Sequence, residues 1–153
     1  MKQATLAFVF NEWWEIMLCM KKRWFWVWKW NWAWWKKDLN ETIHETAKRE
    51  LLEETWVNLE LDLLEFRWVL HFIWEATPDW NQDVHVFRSL GYSWEFSETE
   101  EMKPAWFKID EIPYDDMWED DAIWLPVLIR WEEFEYTVIF WADWNLKEYK
   151  RDK

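Results

Sequence analysis

The sequence predicts an α+β fold, a mixed β-sheet with helices packed against it, and three observations carry that prediction. Short apolar runs of strand length recur along the chain, at Leu6–Phe10, Ile16–Met20, Val69–Ile73, Val84–Arg88 and Phe134–Phe140. A capping box opens one stretch whose apolar residues repeat at helical spacing. The resulting order, β-β-loop-α-β-β-β-α-β, fits neither a helical bundle nor an all-β sandwich. No linker, internal repeat or second compositional block divides residues 1–153, so one domain is expected, large enough to bury a core without disulfide or metal staples.

Taken in order, Leu6–Phe10 and Ile16–Met20 read as two antiparallel strands, with Trp13-Trp14 where a hairpin loop belongs. Thr42 and Glu45 form the capping box: the hydroxyl accepts from the backbone and the carboxylate reaches back to the first amide. Ile43, Ala47 and Leu51 recur every fourth residue and predict a helix from Ile43 to Thr55. Val69–Ile73 and Val84–Arg88 follow as strands joined through Thr77-Pro78-Asp79. Trp106–Ile109 is a further strand, and Pro113 ends the short segment after it. A second helix is expected over Asp120–Phe134, carrying Ile123, Val127 and Leu128, with Pro126 in or near its first turns. Phe134–Phe140 closes the chain as a strand.

Composition excludes several classes. With 18 basic against 31 acidic residues the net charge is −13, the wrong sign for binding a nucleic-acid polymer. The longest apolar runs, such as Ala4–Phe10, fall far short of the ~20 residues a membrane span needs. The single Cys19 excludes an internal disulfide, and with no readable signal peptide the expectation is a cytoplasmic monomer.

The chain holds 20 Trp and 1 Gly, and the two figures describe one anomaly. Lys21–Lys37 reads KKRWFWVWKWNWAWWKK, which taken literally is a strand with an indole face or a cationic segment lying in a membrane interface. Other tryptophans stand where turn chemistry wants glycine: Trp13-Trp14 in the hairpin loop, Trp56 just past the first helix, and Trp141 and Trp144 around Ala142-Asp143. A residue with a Cβ in the left-handed region costs roughly 1–2 kcal/mol, against a total stability of about 5–15 kcal/mol. The reading that accounts for both figures is a UGA codon, glycine in some bacterial lineages, translated here as tryptophan. On that reading Trp13, Trp14, Trp24, Trp26, Trp28, Trp32, Trp34, Trp35, Trp56, Trp68, Trp94, Trp131, Trp141 and Trp144 are glycines in the cell.

The chemistry centres on the first helix. Glu50, Glu53 and Glu54 fall at i, i+3 and i+4, which puts three carboxylates on one face. Such crowding suits either a solvated acidic face or a hard divalent cation, Mg²⁺ or Mn²⁺, which also binds substrate phosphates. The surrounding pattern favours the cation. From Trp35 to Val57 the chain runs W-x5-E-x7-R-E-L-x-E-E-x-W-V through Glu41, Arg49, Glu50, Glu53, Glu54 and Trp56. Apart from tryptophan for glycine at Trp35 and Trp56, this resembles the Nudix box, G-x5-E-x7-R-E-U-x-E-E-x-G-U, where U is apolar.

The resemblance covers nearly the whole chain and is strongest to the Nudix hydrolases of oxidised purine nucleoside triphosphates. Met20–Lys36 is similar to the approach to the box in that subfamily, as are Asp83–Phe87, Glu101–Pro104 with Trp106-Phe107, and Asp116–Asp121. Trp30, Trp106, Trp118 and Trp124 fall where that subfamily has aromatic residues. The resemblance implies a Nudix fold, a mixed sheet between helices, and hydrolysis of a nucleoside triphosphate to monophosphate and pyrophosphate. It assigns the metal to Glu50, Glu53, Glu54, the Trp35 carbonyl and the Glu101 side chain, with Arg49 and Glu41 bracing the box. The general base is Glu50 or Glu101. Asp120 and Asp121 match the adjacent aspartates that face the purine, where one carboxyl keeps a proton and donates while the other accepts. Trp118 stacks on the base, Asn31 bonds it, Phe25 and Phe72 wall the pocket, and Thr5 and Lys21 lie near sugar and phosphates.

Overall fold

The computed structural model describes residues 1–21, 30–31, 33–61, 64–90, 92–93, 97–99 and 102–153. In chain order the described elements are β1 (Lys2–Val9), β2 (Glu15–Lys21), β3 (Trp30–Asn31), β4 (Ala33–Lys36), α1 (Ile43–Thr55), β5 (Asn58–Leu59), β6 (Leu64–Trp74), β7 (Gln82–Ser89), β8 (Tyr92–Ser93), β9 (Met102–Lys108), α2 (Asp121–Ile129), β10 (Phe134–Phe140) and β11 (Leu146–Arg151). Six strands form the main sheet in the order β11-β10-β6-β7-β1-β4. It is mixed: β1 runs parallel to β7 and β10 parallel to β6, while the remaining pairs are antiparallel. A second sheet, β3-β2-β9, and a two-stranded ribbon, β5-β8, lie beside it.

The sheet sits between the helices. One face carries Leu6, Phe8, Leu70, Phe72, Val84 and Val86 against Trp124, Leu125 and Leu128 of α2. The other carries Ala7, Val9 and Phe87 against Ala47 and Leu51 of α1, joined by Met17 and Cys19 of β2. Strand β1 is buried on both faces from Ala4 onward, which is why its sequence is a continuous apolar run with no alternation.

Four expectations from the sequence need correction. Leu6–Phe10 and Ile16–Met20 are connected by a tight turn but do not form a hairpin sheet. They share one bridge, Phe10 to Ile16, and then diverge into separate sheets because each pairs better elsewhere, β1 with β7 and β4, β2 with β9. The strand placed at Trp106–Ile109 is β9, which starts at Met102 and tolerates Pro104 because it is an edge strand with β2 as its partner. The second helix ends at Ile129, not at Phe134. Its last turn closes with Trp131 N–H to Leu128 C=O (3.0 Å) and Glu132 N–H to Val127 C=O (3.2 Å), a Schellman cap with Trp131 at φ 68. Strand β11 was not foreseen, since LKEYKR is an exposed edge without an apolar face.

Candidate active site

The first helix is built at both ends as its sequence predicts. Glu45 N–H donates to Thr42 Oγ1 (3.1 Å) and Thr42 N–H to Glu45 Oε2 (3.2 Å), completing the capping box. At the other end Trp56 is left-handed, φ 69, with its N–H on Leu52 C=O (2.9 Å). Four described non-glycine residues have positive φ: Trp14, Trp56, Trp131 and Trp144. All four stand among the fourteen positions read as glycine sites. Trp68 differs, since it is fully buried, lies in the core and donates its indole N–H to Glu132 C=O (2.7 Å).

Arg49 knits the acidic face. Its guanidinium donates to Glu41 Oε1 (2.5 Å) and Oε2 (3.1 Å), Glu50 Oε1 (2.8 Å), Glu53 Oε2 (3.4 Å) and Asp38 Oδ2 (3.2 Å). Asp38 was not singled out in the sequence; it lies in the loop before the helix, and its position between the box glycine site and Glu41 was the available signal. The hydrogen bond from Arg49 holds the Glu41 carboxyl below the usual carboxylate range. Burial pushes Glu50 the other way, above that range, against the pull of Arg49.

Arg49 joins two of the three carboxylates. Glu50 and Glu53 meet at Arg49, whereas Glu54 lies on the inner side near Cys19, whose thiol is pushed up to about 12 by burial and then by the Glu54 charge. Among the described residues no group of three His, Cys, Asp or Glu is arranged to hold a metal ion. The donor set is nevertheless all carboxylate oxygen, the chemistry that suits a hard divalent cation. Ser97 N–H to Thr55 C=O and the Thr99 hydroxyl to Glu54 C=O (both 2.9 Å) tie the stretch preceding Glu101 to the end of α1. Glu101 and Phe25 lie outside the described residues, as do the side chains of Lys21, Asn31 and Trp35. The Lys21 backbone is opposite Met102, that of Asn31 opposite Cys19 and that of Trp35 opposite Thr5.

The second cluster forms on the α2 side of the sheet. Asp120 and Asp121 are both buried at the start of α2. Trp124 Nε1–H donates to Asp120 Oδ2 (2.8 Å), and Trp118 N–H donates to Asp121 Oδ2 (3.1 Å). Burial raises Asp120 from the ordinary 3.8 to about 6, the Trp124 bond offsetting part of the shift. Trp118 packs on the core that holds Phe72. Thr5 is separated from this cluster: alternation along β1 points it to the α1 face with Ala7 and Val9, and its buried hydroxyl has no hydrogen-bond partner among the described residues.

Two buried polar residues beside Phe72 were missed. Gln82 is directly opposite Phe72 across β6 and β7, and Trp74 follows two residues on along the same face. Gln82 Oε1 and Trp74 Nε1 have no hydrogen-bond partner among the described residues, which is unusual for buried polar atoms and common at ligand sites. Placing Gln82 in phase with Val84 and Val86 would have found it.

A mixed sheet between two helices, with the acidic box on the first of them, is the architecture of the Nudix hydrolases. The MutT protein of Bacillus halodurans superposes with a TM-score of 0.86 over 99% of this chain and 98% of its own, at 22% identity. A MutT Nudix hydrolase from Burkholderia pseudomallei matches at 0.64 over 73% of this chain and 86% of its own, at 23% identity. No family model matches the chain. Two curated relatives do: the oxidised purine nucleoside triphosphate hydrolase of Danio rerio is 38% identical over 138 residues, covering 90% of this chain and 86% of its own length. That of Mus musculus is 40% identical over 119 residues, 78% and 74% of the two chains. The chain belongs to the family of the oxidised purine nucleoside triphosphate hydrolases, Nudix enzymes that act on phosphoric anhydrides. Nudix hydrolases use a divalent metal. No described helix is long and apolar enough to cross a membrane.

Proposed function

We propose that this chain hydrolyses oxidised purine nucleoside triphosphates, of the 8-oxo-dGTP and 2-hydroxy-dATP type, to the monophosphate and pyrophosphate, with Mg²⁺ as its metal and Mn²⁺ able to replace it. Glu50, Glu53 and Glu54 would hold the metal with the Trp35 carbonyl and Glu101. When bound, the cation neutralises the triphosphate and lowers the pKa of the attacking water. Arg49 fixes the Glu50 and Glu53 carboxylates and keeps them from swinging apart. Glu50 or Glu101 takes the proton from the water.

The substrate class rests on the buried Asp120-Asp121 pair. A carboxyl raised to about 6 holds its proton to higher pH than an ordinary aspartate, and in its protonated form it donates to a purine carbonyl while its neighbour accepts from a ring N–H. Exchange of the proton within the pair lets one pocket take oxidised guanine and oxidised adenine. Trp118 stacks on the base and Phe72 and Phe25 wall it, with Asn31 bonding its edge and Thr5 and Lys21 near the sugar and phosphates. The test is pyrophosphate release by the protein carrying glycine at the fourteen sites, from 8-oxo-dGTP, dGTP and ADP-ribose, each with and without Mg²⁺. Preference for 8-oxo-dGTP that vanishes with EDTA is expected; equal rates on dGTP, or cleavage of ADP-ribose alone, would overturn the substrate assignment.

A further inference from the structure

The β10–β11 hairpin turns through Trp141–Trp144. Trp144 N–H donates to Trp141 C=O and Trp141 N–H to Asn145 C=O (both 2.9 Å), with Asn145 N–H on Asp143 Oδ1 (3.1 Å). This leaves Trp144 at φ 70, the left-handed bulge position that such a loop gives to glycine. Its indole lies inward, with its ring centroid 4.6 Å from Trp74, 5.5 Å from Trp80 and 6.0 Å from Trp118. Trp74 in turn stacks on Phe140 (4.9 Å, 19°), and Phe140 meets Phe72 edge-on (5.4 Å). The hairpin is fastened to the aspartate segment by Leu146 N–H on Glu119 Oε1 (3.4 Å).

Trp144 therefore lies among the rings that border the proposed base pocket, and an indole is a fused five- and six-membered bicycle of about the size and shape of a purine. We propose that residue 144 is the gate of that pocket: the Trp144 indole takes up the purine's place beside Trp118, and glycine at this position admits the base. The inference rests on Trp118, Phe72, Asp120 and Asp121 forming the base pocket. It identifies the hairpin as a determinant of purine binding that none of the box residues provides. The buried Trp74 N–H and Gln82 carbonyl give an incoming purine a donor and an acceptor.

Size and backbone strain are separable at this site. Trp144→Ala removes the ring and keeps the left-handed Cβ; Trp144→Gly removes both. Trp14 is the matched reference, because Trp14 N–H donates to Asn11 C=O (3.1 Å) in a similar turn at φ 61, and its ring stacks on Trp131 at the other end of β10. Binding of 8-oxo-dGMP, which lacks the triphosphate and so bypasses the metal site, would be measured by calorimetry. Trp144→Gly and Trp144→Ala should each bind at least tenfold tighter than the parent, Trp14→Gly should not, and Trp118→Ala should remove the gain. No gain in either position-144 variant, while Trp118→Ala weakens the parent, would overturn the gate and leave the pocket standing. No response at either position would overturn both. A gain with glycine but not with alanine would show that strain, not occupancy, controls binding, and would also overturn the proposal.

Discussion

Single residues set the chemistry through what they touch. Glu53 has an exposed side chain, 58% accessible, and touches Arg49 at 3.4 Å, so neutralising it leaves no buried charge behind. In the protein with glycine at the fourteen sites, Glu53→Gln should keep the fold and lower turnover by orders of magnitude; activity within a few-fold of that parent at saturating Mg²⁺ would remove Glu53 from the metal site. Asp120 makes a prediction about pH. Its native pKa, about 6, lies above the ordinary 3.8, so the folded protein binds this proton more tightly than the unfolded chain. Its contribution to stability is therefore full below the ordinary value and is lost as pH rises towards 6. The kcat/KM profile on oxidised purines should bend near pH 6, and Asp120→Asn should remove that bend while costing about 1–3 kcal/mol in binding. Equal losses on every nucleotide would point instead to a folding defect.

At the scale of elements, α1 was legible from end to end because its signals are local. The Thr42 cap, the i, i+4 apolar repeat and the left-handed exit at Trp56 each lie within a turn of the residues they control. The cap also gives a stability prediction. Trp56 is 61% exposed, so its ring contributes little packing, while its left-handed Cβ costs roughly 1–2 kcal/mol. Trp56→Gly should raise the thermal midpoint by a comparable free energy; an unchanged or lowered midpoint would count against strain at this cap. The elements that escaped prediction lack such local signals. Strand β11 has no apolar face, and its pairing with β10 is decided across the sheet. The early end of α2 depends on a Schellman cap whose usual glycine is a tryptophan here, which hid the stop.

For the whole molecule, three strands are joined by one imidazole. His71 Nδ1 pairs with Asp83 (2.6 Å) and Nε2 with Glu135 (2.7 Å), spanning β6, β7 and β10. Burial alone would depress His71, but the two carboxylates outweigh it and hold its pKa above 6.5. This contribution is full below the unfolded value and is lost as pH rises through the raised one. His71→Gln should flatten that part of the stability profile measured by denaturant titration; an unaltered profile would show that the staple is silent. The tryptophans make the broadest prediction. A protein with tryptophan at all 20 positions should be inactive, and glycine at the fourteen sites should restore Mg²⁺-dependent pyrophosphate release. Trp68 is the site where that replacement opposes the packing, since emptying a buried ring costs about 3–5 kcal/mol. An active all-tryptophan protein, or UGG codons at the fourteen positions, would refute the glycine decoding.

What the sequence by itself determined is whatever depends on neighbours along the chain: the capping box, the extent of α1, the spacing of Arg49 with Glu50, Glu53 and Glu54, and the glycine-like turns at Trp14, Trp56 and Trp144. Alternation and apolar runs also located β6, β7 and β10 well enough to indicate a mixed α+β fold. What only the tertiary structure decided depends on partners far apart in sequence. Parallel pairing of β1 with β7 drew β1 away from β2, because a buried ladder satisfies more backbone than a two-strand hairpin. Burial at the start of α2 raised Asp120, a shift that no composition reveals. Cross-strand register placed Gln82 opposite Phe72, and the return of the β10–β11 hairpin set the Trp144 ring near Trp118. Desolvation and long-range register are properties of the assembled sheet, so these features arise only once it closes around its core.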